Sequence, residues 1–248
     1  MRLSAAIIAQ NEEWDLPGCL ASLAPLNCEI VVVDGGSRDR TREIVRDAGG
    51  VLVERPFDDF ASQKQAAVDA CSGEWILSLD ADERLTPELA AEIPAALEGA
   101  ADAYDIPFEV WFLGKRLRFG GLGREHHVRL FRKSRGRFKG ARLHEGITVD
   151  GPTARLKGRI RHEPYRDLAE YREKAAVYTD RAALKRFENG KRFTPLHRLL
   201  PAWEFFMRAV LKGAVLDGYP GLLWAWLSAQ HTRLKYAKLR ELQRKAAR

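Results

Sequence analysis

Glu74-Trp75-Ile76-Leu77-Ser78-Leu79-Asp80-Ala81-Asp82-Glu83 is a run of large apolar residues that stops on two carboxylates two positions apart. The apolar part reads as a buried strand. A strand that ends this way holds its carboxylates in fixed geometry at the edge of a sheet. Hard divalent cations take oxygen ligands. Mg²⁺ or Mn²⁺ is typically bound by one or two carboxylates, with substrate phosphates supplying the rest. The stretch therefore points to a metal–diphosphate site and to a nucleotide-activated substrate. Taken alone it also describes an ordinary acidic turn, and the sequence around it decides between the two.

Upstream, strand-like and helix-like segments alternate. Leu3–Ala9 and Glu29–Val33 are apolar and strand-like, and the second ends at Asp34. Trp14–Leu23 and Thr41–Ala48 have helical spacing, Val51–Glu54 is a third strand, and Ser62–Ala70 is a helix before Gly73. Thr86-Pro87-Glu88 is a helix start, with a capping hydroxyl, a proline at the first position and an early acid. This rhythm predicts an α/β protein with a doubly wound, mostly parallel sheet. Such sheets bind ligands at the carboxyl ends of their strands, where both Asp34 and Asp80 stand.

Asp34-Gly35-Gly36-Ser37-Arg38-Asp39-Arg40-Thr41 follows a strand and opens a helix. Its glycines permit a tight turn and close approach to a ligand. Ser37 or Asp39 can cap the helix. Asp34 can accept hydrogen bonds from a base or a ribose. The glycine spacing matches neither GxGxxG nor a Walker loop, which disfavours those nucleotide modes.

Past residue 100 the character changes. Tyr104–Val110, His127–Arg132, Leu143–Val149 and Ala154–Arg161 read as strands, the last with cations alternating against Ala154, Leu156, Gly158 and Ile160. From about Pro164 the pattern is helical, with candidates Leu168–Glu188, Leu196–Leu216 and Leu222–Arg244. The expected division is a catalytic domain over 1–165 and a helical extension over 166–248.

The 248 residues, 46% of them hydrophobic, suffice for one large domain or a domain with an appendage. Three cysteines, Cys19, Cys28 and Cys71, form no CxxC pair, which argues against a disulfide framework or zinc site and fits a reducing compartment. The apolar run at Ile7-Ile8-Ala9 is cut off by Gln10-Asn11-Glu12-Glu13 and reads as a strand rather than a secretory leader. No apolar stretch reaches the roughly 18 residues of a membrane span. Net charge is +7, with a pI near 9.4, which favours anionic partners without choosing among them.

Three motifs in this order and spacing resemble family-two glycosyltransferases of GT-A fold: Ile7-Ile8-Ala9-Gln10-Asn11-Glu12-Glu13, Asp34 to Thr41, and Glu74 to Glu83. Phe112-Leu113-Gly114-Lys115, Gly120-Gly121, Arg129-Leu130-Phe131-Arg132, His144-Glu145-Gly146, His162 and Tyr165 extend the likeness to the subgroup that adds glucose to the lipopolysaccharide inner core. The resemblance implies an inverting, metal-dependent enzyme that uses a UDP-hexose, foremost UDP-glucose. Gln10, Asn11, Glu12 and Asp34 would embrace the uridine. Asp80 would face the ribose or the metal, and Asp82 would bind the metal, Mg²⁺ or Mn²⁺. Lys64, on the helix before the acidic strand, is a candidate phosphate contact. His162 or His144 could complete the metal shell. Glu83 would sit behind it.

An inverting transferase needs a carboxylate to take the acceptor proton. Glu145 is the candidate, since it lies downstream of the metal motif as family bases do. Asp102, Asp105 and Glu125 are rivals. His126-His127 is a poor metal pair, because neighbours on a strand point to opposite faces.

Between Lys115 and Arg142 stand eleven lysines and arginines against one carboxylate, Glu125. Such a stretch suits a phosphorylated lipid-linked or lipopolysaccharide acceptor. The C-terminal segments mix Trp203, Phe205, Phe206, Trp224, Trp226 and Tyr236 with arginines and lysines, as helices lying in a bilayer interface do. The implied setting is the inner face of the cytoplasmic membrane. A sugar-phosphate nucleotidyltransferase shares the sheet topology but would want a glycine- and arginine-rich loop where Gln10–Glu13 stands. A nucleic-acid-binding module is suggested by the pI alone, and no nucleic-acid partner is expected.

Overall fold

The computed structural model describes residues 2–139 and 146–246. The chain forms two compact units. One comprises 1–108 and 125–162, the other 109–124 and 163–248.

In chain order the elements are β1 (Leu3–Ala9), α1 (Leu16–Leu23), β2 (Glu29–Asp34), α2 (Thr41–Asp47), β3 (Val51–Glu54), α3 (Phe60–Ala70), β4 (Trp75–Asp80), β5 (Glu83–Leu85) and α4 (Pro87–Leu97). They continue with β6 (Ala103–Phe112), β7 (Lys115–Leu117), β8 (His126–Arg132), β9 (Gly136–Lys139), β10 (Gly146–Val149), β11 (Thr153–Arg155) and β12 (Ile160–His162). The helices α5 (Leu168–Glu188), α6 (Leu200–Phe206) and α7 (Tyr219–Ala246) follow.

Strands of the first unit run in the order β3-β2-β1-β4-β8-β6-β12-β5. The pairs β3–β2, β2–β1 and β1–β4 are parallel, and β8 turns the sheet antiparallel. The α/β expectation therefore holds, with a parallel block β3-β2-β1-β4 and one further parallel pair between β11 and β6. The continuous apolar runs have a direct cause, since both faces of this part are covered. Leu3, Ala5, Ile7 and Ala9 of β1 and Trp75, Leu77 and Leu79 of β4 pack beneath α1 and α4. Ala6, Val31, Val33 and Ile76 pack with Ala67 and Val68 of α3 on the other face.

Register aligns the carboxyl edge of the sheet. Ala9 lies opposite Asp34, and Ile8 lies opposite Asp80. The tips of three strands thus present Gln10, Asp34 and Asp80 along one carboxyl edge.

Thr86 caps α4 as expected, its Oγ accepting from the Leu89 N–H at 3.3 Å. The strand expected over Ala154–Arg161 is two strands with a break between them. The Glu92 carboxylate takes the N–H groups of Lys157 and Gly158 at 2.8–3.1 Å, so those groups are spent on α4 rather than on a ladder. Gly158 also presses against α4. A Cβ there would lie 2.3 Å from the Leu89 Cα, a backbone atom that has no room to give. Gly158→Ala should cost about 3 kcal/mol through overpacking and lower Tm by roughly 6–12 °C, read by calorimetry. An unchanged Tm would show that the contact is slack.

In the second unit, the end of β6 and β7 form a two-residue hairpin at Leu113-Gly114, both with positive φ (51° and 71°), the twist that a tight hairpin favours. Asp217 receives the N–H groups of Arg118 and Phe119, each at 2.9 Å. Phe112, Leu117, Tyr171, Ala175 and Leu227 form a core with Trp224 against it. The single helix expected over Leu196–Leu216 is instead a chain of short pieces. A 3₁₀ turn (Pro195–Arg198) precedes α6, a π turn (Met207–Leu211) follows it, and a second 3₁₀ turn spans Ala214–Asp217. Gly213, at φ 71°, ends the helical run where a side chain would be strained. Among the described residues no helix is long and apolar enough to cross a membrane.

Candidate active site

Two loops at the carboxyl edge are zipped together. The Asn11 N–H donates to Ser37 Oγ at 2.8 Å, the Glu12 N–H to Thr41 Oγ1 at 2.8 Å, and the Glu13 N–H to Asp39 at 3.1 Å. In return the Arg38 N–H donates to Asn11 Oδ1 at 2.9 Å. Gln10 donates its amide to the Gly35 carbonyl at 3.0 Å. Asn11 holds a left-handed backbone (φ 60°), which asparagine tolerates. Asp39 takes the Thr41 N–H at the start of α2, as its spacing suggested.

Asp34 is fully buried at the floor of this pair of loops. Its Oδ2 accepts from the N–H groups of Gly36 and Ser37, both at 3.0 Å, and from Arg42 Nε at 2.8 Å. Burial works against the charge, but the hydrogen bonds from Ser37, Arg42 and Gly36 outweigh it and hold the carboxyl below its ordinary range. Its Oδ1 is buried and has no hydrogen-bond partner. A buried acceptor left in this state costs free energy unless a ligand donates to it.

At the tip of β4 the acids divide into two groups. Asp80 is held by cations, with Lys64 Nζ 2.8 Å from Oδ1 and 3.1 Å from Oδ2, and with Arg129 donating to Oδ2 at 3.1 Å. The same guanidinium binds the buried Glu83, whose other oxygen takes the Asp80 N–H at 3.0 Å. Burial opposes ionisation of Asp80, yet Arg129 and Lys64 hold its carboxyl ionised, with a pKa far below the ordinary carboxylate range. Glu83 goes the other way, raised to about 7 by burial and the neighbouring Asp80 despite Arg129. Asp82 stands outside this network. Its Oδ2 lies 3.3 Å from His162 Nε2. Burial disfavours the imidazolium, but the Asp82 hydrogen bond and the surrounding carboxylates raise His162 to about 9.

The β5–β12 ladder creates this last pair. It sets His162 opposite Glu83, which brings the imidazole to Asp82 across eighty residues of sequence. Phe108 braces the ring edge-on, with centroids 6.3 Å apart.

Gln10, Asn11, Glu12 and Asp34 therefore converge at one end of the edge, and Lys64, Asp80, Asp82 and His162 at the other. Among the described residues no three His, Cys, Asp or Glu side chains form a ready metal cage. The donor set nonetheless fits a hard cation that takes most of its ligands from phosphate. Asp82 and His162 approach each other, the imidazole held protonated by its acidic neighbours and so required to release that proton to a metal, and among the described residues no arginine or lysine pairs with Asp82. Glu145 and His144 lie outside the described residues. Of the rival bases, Asp105 pairs with Arg155 and His126, Asp102 with Arg132, and Glu125 with His127. His126 and His127 accordingly serve different partners.

Two features escape a reading of the sequence. Arg129 sits in the β8 run His127-Val128-Arg129-Leu130-Phe131, where a lone cation at a buried position is the available signal. Several cations of the stretch around it are engaged by partners within the chain. Arg132 pairs with Glu74 and lies over Trp75 at 4.6 Å, Lys133 donates to the Cys71 carbonyl at 2.5 Å, and Arg116 pairs with Glu109 at 3.0 Å.

The pattern that defines glycosyl transferase family 2 matches residues 4–147, and the chain belongs to that family. It is a glycosyltransferase. The lipopolysaccharide core biosynthesis glycosyltransferase LpsC of Rhizobium meliloti is 30% identical over 252 residues, covering 96% of this chain and 91% of that protein. An uncharacterised glycosyltransferase of Rickettsia typhi is 26% identical over 261 residues, covering 99% of this chain and 89% of its own. Among solved structures, S. aureus TarS 1-349 in complex with UDP-GlcNAc superposes with a TM-score of 0.51 at 17% identity, over 99% of this chain and 92% of that one. The likeness to TarS concerns the fold, which is GT-A.

Proposed function

We propose that this glycosyltransferase moves a hexose, foremost glucose from UDP-glucose, with inversion onto a lipopolysaccharide-core-type acceptor at the inner face of the cytoplasmic membrane. Residues 1–165 carry the chemistry and 166–248 form the helical extension. The observation that carries the donor assignment is the buried, unpartnered Oδ1 of Asp34 between two interlocked loops. A uracil offers an imide N–H to such an acceptor. Gln10, Asn11 and Glu12 close over the nucleoside. The likeness to LpsC supports the acceptor class.

Asp82 and His162 would hold a divalent cation, Mg²⁺ or Mn²⁺, which when bound offsets charge on the leaving diphosphate. Asp80 is set by Lys64 and Arg129, and faces the ribose or the cation's ligand shell. Lys64, already at the strand tip, can shift toward a phosphate oxygen. Glu145 takes the proton of the acceptor hydroxyl as that oxygen attacks the anomeric carbon and the bond to UDP breaks.

Thermal unfolding with a panel of nucleotides tests the donor. UDP with Mn²⁺, present at about a hundred times its Kd, should add about 2.7 kcal/mol and raise Tm by several degrees, while ADP and GDP do much less. Asp34→Ala should erase the preference for UDP. A panel in which all nucleotides protect equally would contradict the assignment.

A further inference from the structure

The second unit leaves a long apolar stripe in solvent. Leu196, Leu199, Trp203, Phe206 and Val210 recur at intervals of three and four residues, the spacing of one helical face, and all are exposed, Leu196 to 73%. Leu216 (68%) and Tyr219 (70%) continue it onto the first turn of α7. Trp203 and Phe206 lie side by side, with centroids 5.9 Å apart. Meanwhile Ala209 and Ala214 face inward with Ala225 of α7. A run of large exposed apolar residues of this kind marks an interaction surface.

A groove of about 760 Å³ within the same unit is lined by Arg198, Arg233, Arg240 and Arg244, with Phe193 and Tyr236 among its walls. Among the described residues none of these arginines is ion-paired. Arg240 lies over the Phe193 ring at 5.5 Å. The groove's carboxylate, Glu241, is engaged by Lys245 at 2.8 Å. Arg198 sits within the stripe's own sequence, between Leu196 and Leu199.

We propose that residues 196–219 are a membrane-docking element, which inserts its apolar stripe into an anionic bilayer interface while the arginine groove holds lipid phosphates. Aromatic and aliphatic side chains beside arginines are what the headgroup boundary selects. Charge decides between a bilayer and a second copy of the chain. Arg198 lies within the stripe's own segment, the adjoining groove adds three more arginines, and the chain carries +7, so anionic lipids complement this region where a second copy would repel it. The inference rests on the membrane-acceptor reading and sharpens it. It places the apolar insertion on the broken-helix segment and the start of α7, while the rest of α7, whose Leu227, Tyr236 and Leu239 are buried, contributes the groove arginines Arg233, Arg240 and Arg244.

The test is cosedimentation of the full chain with vesicles of phosphatidylcholine alone and of phosphatidylcholine with phosphatidylglycerol. It needs neither donor nor acceptor, so its failure is separable from failure of the catalytic reading. The wild type should pellet with the anionic vesicles and weakly with the neutral ones. Each of Arg198→Gln, Arg233→Gln and Arg244→Gln should weaken anionic binding about fivefold. A combined Leu199→Ser, Trp203→Ser, Phe206→Ser variant should lose binding by at least about tenfold, with circular dichroism confirming that it folds. A wild type that stays in the supernatant with both vesicles would overturn the proposal. So would serine variants that bind undiminished, or a solution dimer that the serine variant converts to monomer.

Discussion

Asp82→Ala should leave the chain folded and reduce turnover of UDP-glucose by on the order of a hundredfold to a thousandfold. Asp82 is half-buried, and its polar contact is with His162 at 3.3 Å, so its loss removes little packing. Among the described residues no arginine or lysine pairs with its carboxylate. Asp80, two residues earlier, is already neutralised by Lys64 and Arg129. The comparison variant is Glu145→Gln, which should bind UDP as the wild type does and fail at transfer. Nucleotide-dependent thermal protection and product formation, measured on both variants, separate the two roles. Wild-type turnover in Asp82→Ala would remove the metal role from this residue.

Arg129→Met should be the most destabilising single change at the site. The guanidinium is buried between Asp80 and Glu83 and binds both. Without it the buried Glu83 and the partly exposed Asp80 face each other across the end of β4, and Glu83 has lost its cation. Breaking a buried pair by removing one partner costs about 3–5 kcal/mol, here roughly a 10 °C fall in Tm. Adding Glu83→Gln should restore part of that loss, because it removes one of the stranded charges. If the double variant is no more stable than Arg129→Met, the destabilisation comes from lost packing against Phe108, which the guanidinium also covers at 5.4 Å.

Much of this was legible in the sequence because its cause is local. The apolar runs of β1, β2 and β4 are continuous since both sheet faces are covered, and Asp34 and Asp80 stand together at their carboxyl edge. Thr86-Pro87-Glu88 started a helix as its chemistry requires. The parts that could not be read depend on partners far away in the chain. Glu92 diverts the backbone of Lys157 and Gly158 and splits one expected strand into β11 and β12. The split sets β12 against β5, and so places His162 beside Asp82. Nothing in the spacing of Asp80 and Asp82 reveals that Lys64 and Arg129 occupy the first acid and leave the second. The helix expected over Leu196–Leu216 failed for a different reason. Its apolar positions have helical spacing, but they face solvent, so packing does not enforce one continuous helix and Gly213 ends it.

Calorimetric titration of UDP into the wild-type chain, once with Mn²⁺ and once with a chelator, tests most directly whether this corner clamps a diphosphate through a cation. Saturable binding with Mn²⁺ that weakens at least about tenfold under chelation, and equally in Asp82→Ala and His162→Ala, is the expected result. UDP binding of the same affinity with and without the cation would contradict it.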